Sequence, residues 1–330
     1  MTGIYRVKVM TKKLKYDFEI RRKITFIRGN SGTGKTTLYN LLRLHERGER
    51  VTVECSVPCI TLGDRNWQYD LTETTNSIFF IDEDAYFLKR VEFAALAKKS
   101  NNYFVIISRF DFDSLPYSVN EIYEVRQSNR FHVLQPVFEK DTGGFRPSIA
   151  IVEDSKSGFQ FYCKNSVDCK VISANGKANI VNALETLLYG KNGECVLIVV
   201  DGASFGSNLN GVMRFIEKNK ANRFQIFAPE SFEYLLLDSP MFQSIITDRS
   251  IIDNPENHVE NHFSWEMYFS EKLQNITAKL PCKYDKSKLN SCFSDKCCHK
   301  QTKCDAFIGA ESKQLAIMDK HGSHIELFAD

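Results

Sequence analysis

Short apolar runs punctuated by turns organise the chain up to about residue 140. "GIYRVKVM" and "KYDFEI" alternate apolar with polar positions, which predicts two paired, half-buried strands. Residues 24–27, "ITFI", form a short apolar strand. "TLYNLLRL" then carries the spacing of a helix ending near Gly48. "RVTVECSVPCITLG" predicts one or two further strands, and "SIFFIDEDA" and "NYFVIISR" read as fully buried ones on either side of a helix, "VEFAALAKKS". "EIYEVRQSNRFHVLQPVFE" predicts a closing hairpin.

The pattern breaks over 141–148 at Gly143, Gly144 and Pro147, a linker, and then changes character. "SIAIVE", "CKVISA", "CVLIVVDG" and "RFQIFA" are strand-like, and each is followed by a helical stretch. Strands alternating with helices predict a parallel sheet with helices on its faces. From about 251 the chain changes again. "SWEMYFSEKLQNITAKL" is amphipathic and stops at Pro281, and a lysine- and cysteine-rich segment follows. The expected architecture is α/β throughout: a first domain over 1–140, a linker over 141–148, a second parallel α/β domain over 149–250, and a helical and Cys-rich segment over 251–330.

The turn after residue 28 changes the picture most. Gly29, four positions (Asn30, Ser31, Gly32, Thr33) and then Gly34-Lys35-Thr36 make a phosphate-binding loop, in the strand–loop–helix context the motif requires. Glycines at 29, 32 and 34 let backbone N–H groups turn inward around phosphates, and the following helix directs its positive end at them. The expected nucleotide contacts are Gly29, Asn30, Ser31, Gly32, Thr33, Gly34, Lys35, Thr36 and Thr37. Lys35 is placed to reach the outer phosphates and Thr36 to ligate Mg²⁺. Asp82 ends a buried strand, where its carboxylate would complete the Mg²⁺ shell. A bland alternative makes Asp82-Glu83-Asp84 a helix-capping cluster and Arg109 a structural arginine.

At these residues the first half of the chain resembles the P-loop NTPases of the additional-strand class, the AAA and ABC types. That resemblance implies ATP and Mg²⁺ as cofactors, Glu83 as the group that polarises the attacking water, and Arg109 as a sensor of the γ-phosphate. The chain has no "LSGGQ"-like signature, and the short stretch between Thr36 and Asp82 leaves no room for the helical insert of transport ATPases. "NKAN" at 219–222 lacks the aspartate of a guanine-reading motif, so ATP is expected over GTP.

In the second domain, Glu153 follows the first predicted strand, Asp201 the third and Glu230 the fourth. Ligands of parallel α/β sheets sit off these carboxyl ends. The order resembles the Toprim domain of topoisomerases, primases and ATPase-linked nucleases of the overcoming-lysogenization-defect type. The resemblance implies Mg²⁺ at Glu153 and Asp201 and phosphodiester chemistry on nucleic acid. Ala203 stands where that family has a second aspartate. The second domain is therefore expected either to cleave nucleic acid under ATP control or, having lost catalysis, to serve an ATP-dependent switch or scaffold that binds a protein partner. A small-molecule phosphotransferase is a third reading, disfavoured because no arginine-rich lid is found.

Five of the ten cysteines lie between Cys282 and Cys304. Cys292, Cys297, Cys298, His299 and Cys304 are candidate Zn²⁺ ligands, since thiolates and imidazole at short spacings suit a tetrahedral site. A reduced tail whose cysteines pack singly is the alternative. His258 and His262 sit four apart, after Pro255, and are read as a loop-to-helix start. With 43 basic against 41 acidic residues the net charge of +2 argues neither for nor against nucleic acid. No apolar run approaches the ~18 residues of a membrane helix. The expectation is a cytoplasmic protein with reduced cysteines, able to form homo-oligomers that lend one another an arginine.

Overall fold

The computed structural model describes residues 1–29, 34–141, 147–166, 169–243, 245–260 and 262–293, with the strand backbones of 314–318 and 324–325. The chain divides into two units. Unit 1 is Met1–Val137 with Asn254–Ser264, and unit 2 is Phe138–Asp253 with the chain from Trp265 onward. No described helix is long and apolar enough to cross a membrane.

Unit 1 contains β1 (Tyr5–Met10), β2 (Lys15–Ile20), β3 (Ile24–Arg28), α1 (Lys35–Glu46), β4 (Thr52–Glu54), β5 (Cys59–Thr61), α2 (Trp67–Glu73), β6 (Ile78–Asp82), α3 (Val91–Lys99), β7 (Tyr103–Ile107), β8 (Ile122–Ser128) and β9 (Phe131–Pro136). All nine strands join one sheet in the order β4-β1-β2-β9-β8-β3-β7-β6-β5. The hairpin predicted near the start forms with Val7 opposite Phe18, and its alternation puts Val7, Val9, Tyr16 and Ile20 inside. β5, β6, β7, β3 and β8 run parallel. β7 is buried along its whole length and β6 up to Ile81, as parallel strands covered on both faces should be.

β4 and β5 occupy opposite edges of this sheet, yet only Cys55 to Pro58 separate them in sequence. A flat sheet of this width would span roughly 38 Å, at about 4.8 Å between strands. The connection from Glu54 to Cys59 reaches at most about 18 Å when fully extended. The sheet must therefore curl until its edges approach. α1 packs against strands from both sides, β1 and β4 on one and β5, β6 and β7 on the other. Leu38, Leu41 and Leu42 share one apolar core with Val7, Phe80 and Val105. α1 buries Lys35, Leu38, Tyr39, Leu41 and Leu42, a stripe at helical spacing.

Aromatic rings build a second cluster, in which Trp67 stacks on Phe87 at 5.0 Å and Phe93 meets Phe104 edge-on at 5.8 Å. Arg22 and Glu121 form a buried ion pair at 3.2 Å. Residues 254–264 return to unit 1: Gly3 N–H donates to the Glu256 carbonyl at 2.7 Å, and the Lys23 ammonium lies 5.8 Å from the centre of the Phe263 ring.

Unit 2 opens with β10 (Phe138–Asp141). It continues as β11 (Ile149–Val152), α4 (Ser157–Asn165), β12 (Lys170–Ser173), α5 (Ile180–Leu188), β13 (Cys195–Val199), α6 (Gly206–Lys218), β14 (Arg223–Phe227) and α7 (Phe232–Asp238). The short helices α8 (Pro240–Gln243) and α9 (Ser250–Asp253) follow, then α10 (Trp265–Thr277) and the strands β15 (Gln314–Met318) and β16 (His324–Ile325). The four strands read from the sequence are all present and all parallel, in the order β12-β11-β13-β14. β10, β15 and β16 form a separate three-stranded sheet.

After α10 the described chain runs on to Phe293. Tyr284, Leu289 and Phe293 are buried. Cys282 and Cys292 form a disulfide with their Cα atoms 5.9 Å apart. This corrects the expectation for Cys292: its sulfur is bonded to Cys282, so it is not available as a thiolate to zinc, and the pair is not reduced. The two cysteines lie ten residues apart in sequence, with their Cα atoms at a separation a disulfide can span.

Candidate functional site

In unit 1 the predicted site gathers at the carboxyl ends of β3, β6 and β7. Gly29 follows β3 directly and Gly34 precedes α1, while Asn30, Ser31, Gly32 and Thr33 lie outside the described residues. Gly34 has φ +93°, a left-handed conformation that glycine adopts without strain. A Cβ there would also come within 3.0 Å of the Tyr16 hydroxyl and 3.3 Å of the His132 ring. Tyr16 donates to the Gly34 carbonyl at 2.9 Å and stacks on His132 with ring centres 4.5 Å apart. Burial pushes the Tyr16 phenol up to about 12, so it stays a donor at neutral pH. Tyr16 and His132 thus brace the start of α1. Their only signal in sequence was that each sits in a predicted strand.

The first turn of α1 carries no acidic side chain to offset the positive end of the helix. Lys35 is buried, and its ammonium donates to the Gly29 carbonyl. Burial lowers its pKa, an effect opposed by the nearby Glu83 and Asp82 carboxylates. Thr36 and Thr37 follow in the same turn and are exposed.

Asp82 ends β6 and accepts the Glu83 N–H at 3.0 Å; burial raises its pKa. Glu83 is clamped by Arg109, just beyond β7. The Arg109 backbone N–H donates to it at 3.0 Å, and the guanidinium meets it at 2.9 Å. Burial would raise the Glu83 pKa, but the Arg109 guanidinium and backbone N–H hold it below the usual carboxylate range. Lys35, Asp82, Glu83 and Arg109 therefore form one charge network. β7, between β3 and β6, supplies the arginine. Arg28, the last residue of β3, is paired with Asp111, which also accepts from the Tyr117 hydroxyl at 2.9 Å. A cleft of about 640 Å³ runs from Tyr39 and Arg43 on α1 past Asp64 and Arg65 to Asp82.

In unit 2, β11 and β13 are neighbours, and the chain leaves β11 for β12 on one side before crossing to β13 on the other. Glu153 and Asp201 lie just past the carboxyl ends of these strands, at the point where a parallel α/β sheet opens a crevice. Asp201 N–H donates to Glu153 at 3.1 Å, and Asp201 accepts the Phe232 N–H at 3.0 Å. Gly202 passes so close to the 228–229 backbone that a Cβ would lie 2.6 Å from the Ala228 carbonyl oxygen. Ala203 is buried, and its N–H donates to the Glu230 carbonyl at 3.1 Å.

Glu266 of α10, Glu153 and Glu233 of α7 are the carboxylates that act most on Asp201. Burial, followed by this repulsion, raises Asp201 well above the ordinary range, and burial pushes Glu153 up to about 7. The Lys286 ammonium lies 3.4 Å from Glu266 and 3.7 Å from Glu233. Burial alone would lower its pKa, yet Glu233, Glu266 and Asp201 hold it raised. Glu233 also accepts from Tyr284 at 2.8 Å and Ser270 at 3.2 Å, and Ser204 donates to Glu266 at 2.9 Å.

Glu233, Glu266, Tyr284 and Lys286 were missed because they come from helices and a terminal segment with no motif of their own. Among the described residues, no set of three or more His, Cys, Asp and Glu side chains is gathered as a metal ion would need. Cys297, Cys298, His299 and Cys304, named as zinc ligands, lie outside the described residues. Neither a family model nor a curated protein sequence matches the chain.

Proposed function

We propose that unit 1 binds and hydrolyses ATP and that its nucleotide state governs what unit 2 engages. The observation that carries this reading is the position of β7 between the strand that feeds the phosphate loop and the strand that ends in Asp82-Glu83. One intervening strand is the arrangement expected of the additional-strand NTPases, and here it delivers Arg109 to Glu83.

The residues present fit a magnesium nucleotide. The Gly34 conformation, the acid-free first turn of α1 and the buried Lys35 suit phosphate oxygens, and Thr36 and Asp82 supply hard oxygen ligands. Mg²⁺, when bound, neutralises phosphate charge. Lys35 holds the outer phosphates. Glu83, kept ionised by Arg109, accepts a hydrogen bond from water and orients it, and Arg109 reports the phosphate back to Glu83.

For unit 2 the Toprim-like reading is supported by the placement of Glu153 and Asp201 off adjacent parallel strands, and its substrate would be nucleic acid. A second reading, a partner-binding unit without cleavage, is favoured by Lys286. Its ammonium already serves the carboxylates as counter-ion, so no step through a divalent metal is assigned to unit 2.

Two measurements test the proposal. ATP turnover should be present in the wild type and lost in Lys35→Ala; turnover unchanged in Lys35→Ala would overturn the unit 1 assignment. DNA and RNA cleavage is then measured with Mg²⁺ or Mn²⁺, with and without ATP. Cutting lost in Asp201→Ala supports the nuclease, and turnover without cutting supports the switch.

A further inference from the structure

The connection that joins the two edges of the unit 1 sheet carries a pair of thiols. Cys55 follows β4 directly and Cys59 opens β5. Both are free and half-buried, and both pack against the apolar core that encloses α1. Their sulfurs face each other within hydrogen-bonding reach, and the Cys59 thiol also points at the Val57 carbonyl, 4.0 Å away. Among the described residues, β4 pairs in the sheet only with β1 and β5 only with β6. The thiols therefore meet across the seam between the two outermost strands.

We propose that Cys55 and Cys59 are a dithiol–disulfide site, oxidised by a low-molecular-weight disulfide such as oxidised glutathione, whose closure clasps the two edges of the sheet. The thiol pair acts whether or not unit 1 binds a nucleotide.

The two sulfurs divide the chemistry. The Cys59 S–H beside it draws the Cys55 thiol down to about 6, against the burial that would raise it. The same contact, followed by burial, pushes Cys59 up. Cys55 is then the more acidic of the two and supplies the attacking thiolate. The Cys55 thiolate attacks one sulfur of the glutathione disulfide. That S–S bond breaks, a glutathione thiolate leaves, and a mixed disulfide remains on Cys55. Cys59 next loses its proton to solvent as its sulfur attacks the Cys55 sulfur, expelling the second glutathione thiolate. Both glutathione thiolates equilibrate with solvent protons, so two protein thiols become one disulfide and the reagent becomes two thiols.

Cys163, an exposed thiol raised by burial, and Cys169, pushed by burial up to about 11, are internal comparators. The gain in thiolate fraction of a thiol near 6 over an ordinary one is largely offset by its lower nucleophilicity. A net advantage of roughly fourfold at pH 7 remains.

The test uses the full chain at pH 7 in mixtures of oxidised and reduced glutathione, quenched by alkylation and resolved by peptide mass spectrometry. The expected result is that Cys55 and Cys59 escape alkylation together and are recovered linked, at ratios where Cys163 and Cys169 are still alkylated. Cys55 should react initially roughly fourfold faster than Cys163. In Cys59→Ser, Cys55 should keep one glutathione, for want of the sulfur that displaces it. Amide hydrogen exchange at 52–54 and 59–61 should slow in the oxidised wild type. Absence of a linked peptide at every ratio, or a lasting glutathione adduct on Cys55 in the wild type, would overturn the proposal.

Discussion

Replacing Glu153 by glutamine should stabilise unit 2 above neutral pH, by an amount that follows from the burial of its carboxyl. Burial raises the Glu153 pKa from 4.5 to about 7. Each tenfold tightening of proton binding is worth about 1.4 kcal/mol, so ionising Glu153 in the folded state costs on the order of 3 kcal/mol. The sign follows from linkage. A carboxyl that binds its proton more tightly when folded contributes its full stability below about pH 4.5 and loses it as pH rises through about 7. Glutamine keeps an oxygen to accept the Asp201 N–H and cannot ionise. Of the two tryptophans, Trp67 belongs to unit 1 and Trp265 to unit 2, so Trp265 fluorescence in a Trp67→Phe background reports unit 2 during urea unfolding. At pH 8 Glu153→Gln should exceed the same background by up to about 3 kcal/mol, and at pH 4.5 the two should converge. Asp201, raised as well, leaves the variant some slope of its own. A variant no more stable than its parent at pH 8 would refute burial as the source of the raised pKa.

Two further predictions concern unit 1. Glu121→Ala removes the carboxylate from a buried ion pair with Arg22 whose side chains are 8% and 2% exposed. It should destabilise unit 1 by about 3–5 kcal/mol, read from Trp67 fluorescence in urea. Gly34→Ala forces a left-handed alanine, which costs about 1–2 kcal/mol, and drives its methyl toward Tyr16 and His132. It should weaken ATP binding at least roughly tenfold in calorimetry, while far-ultraviolet circular dichroism stays that of the wild type.

The parallel strands of both units were legible because their cores are nearly continuous apolar runs. "IFFI" and "YFVII" are short, unbroken apolar runs, as strands covered on both faces should be. The helix that starts at Lys35 was legible because an apolar stripe at helical spacing follows it directly. What escaped was set by contacts between positions distant in sequence. Tyr16 and His132 reach the Gly34 turn from other strands. The Arg109 grip on Glu83 depends on β7 lying beside β6, which no local pattern encodes. In unit 2, Glu230 looked as suitable as any carboxylate after a strand, but the chain there lends Ala203 its backbone carbonyl, and Glu266 and Glu233 arrive from helices instead. Cys292 was drawn to zinc by its crowded neighbourhood, whereas its sulfur is bonded to Cys282.

The return of residues 254–264 to unit 1 has a consequence for how the protein is made. Everything between Phe138 and Asp253 is an insertion within the chain of unit 1. On a translating ribosome β3 acquires both neighbours only once β8 has emerged, and Gly3 waits for the Glu256 carbonyl until the insertion has been synthesised. Unit 1 is thus completed only after residues 138–253 of unit 2 have been made, and unit 2 is completed last, when the chain from Trp265 onward emerges. A release of the nascent chain after unit 1's first segment, at Val137, would leave that unit without residues 254–264.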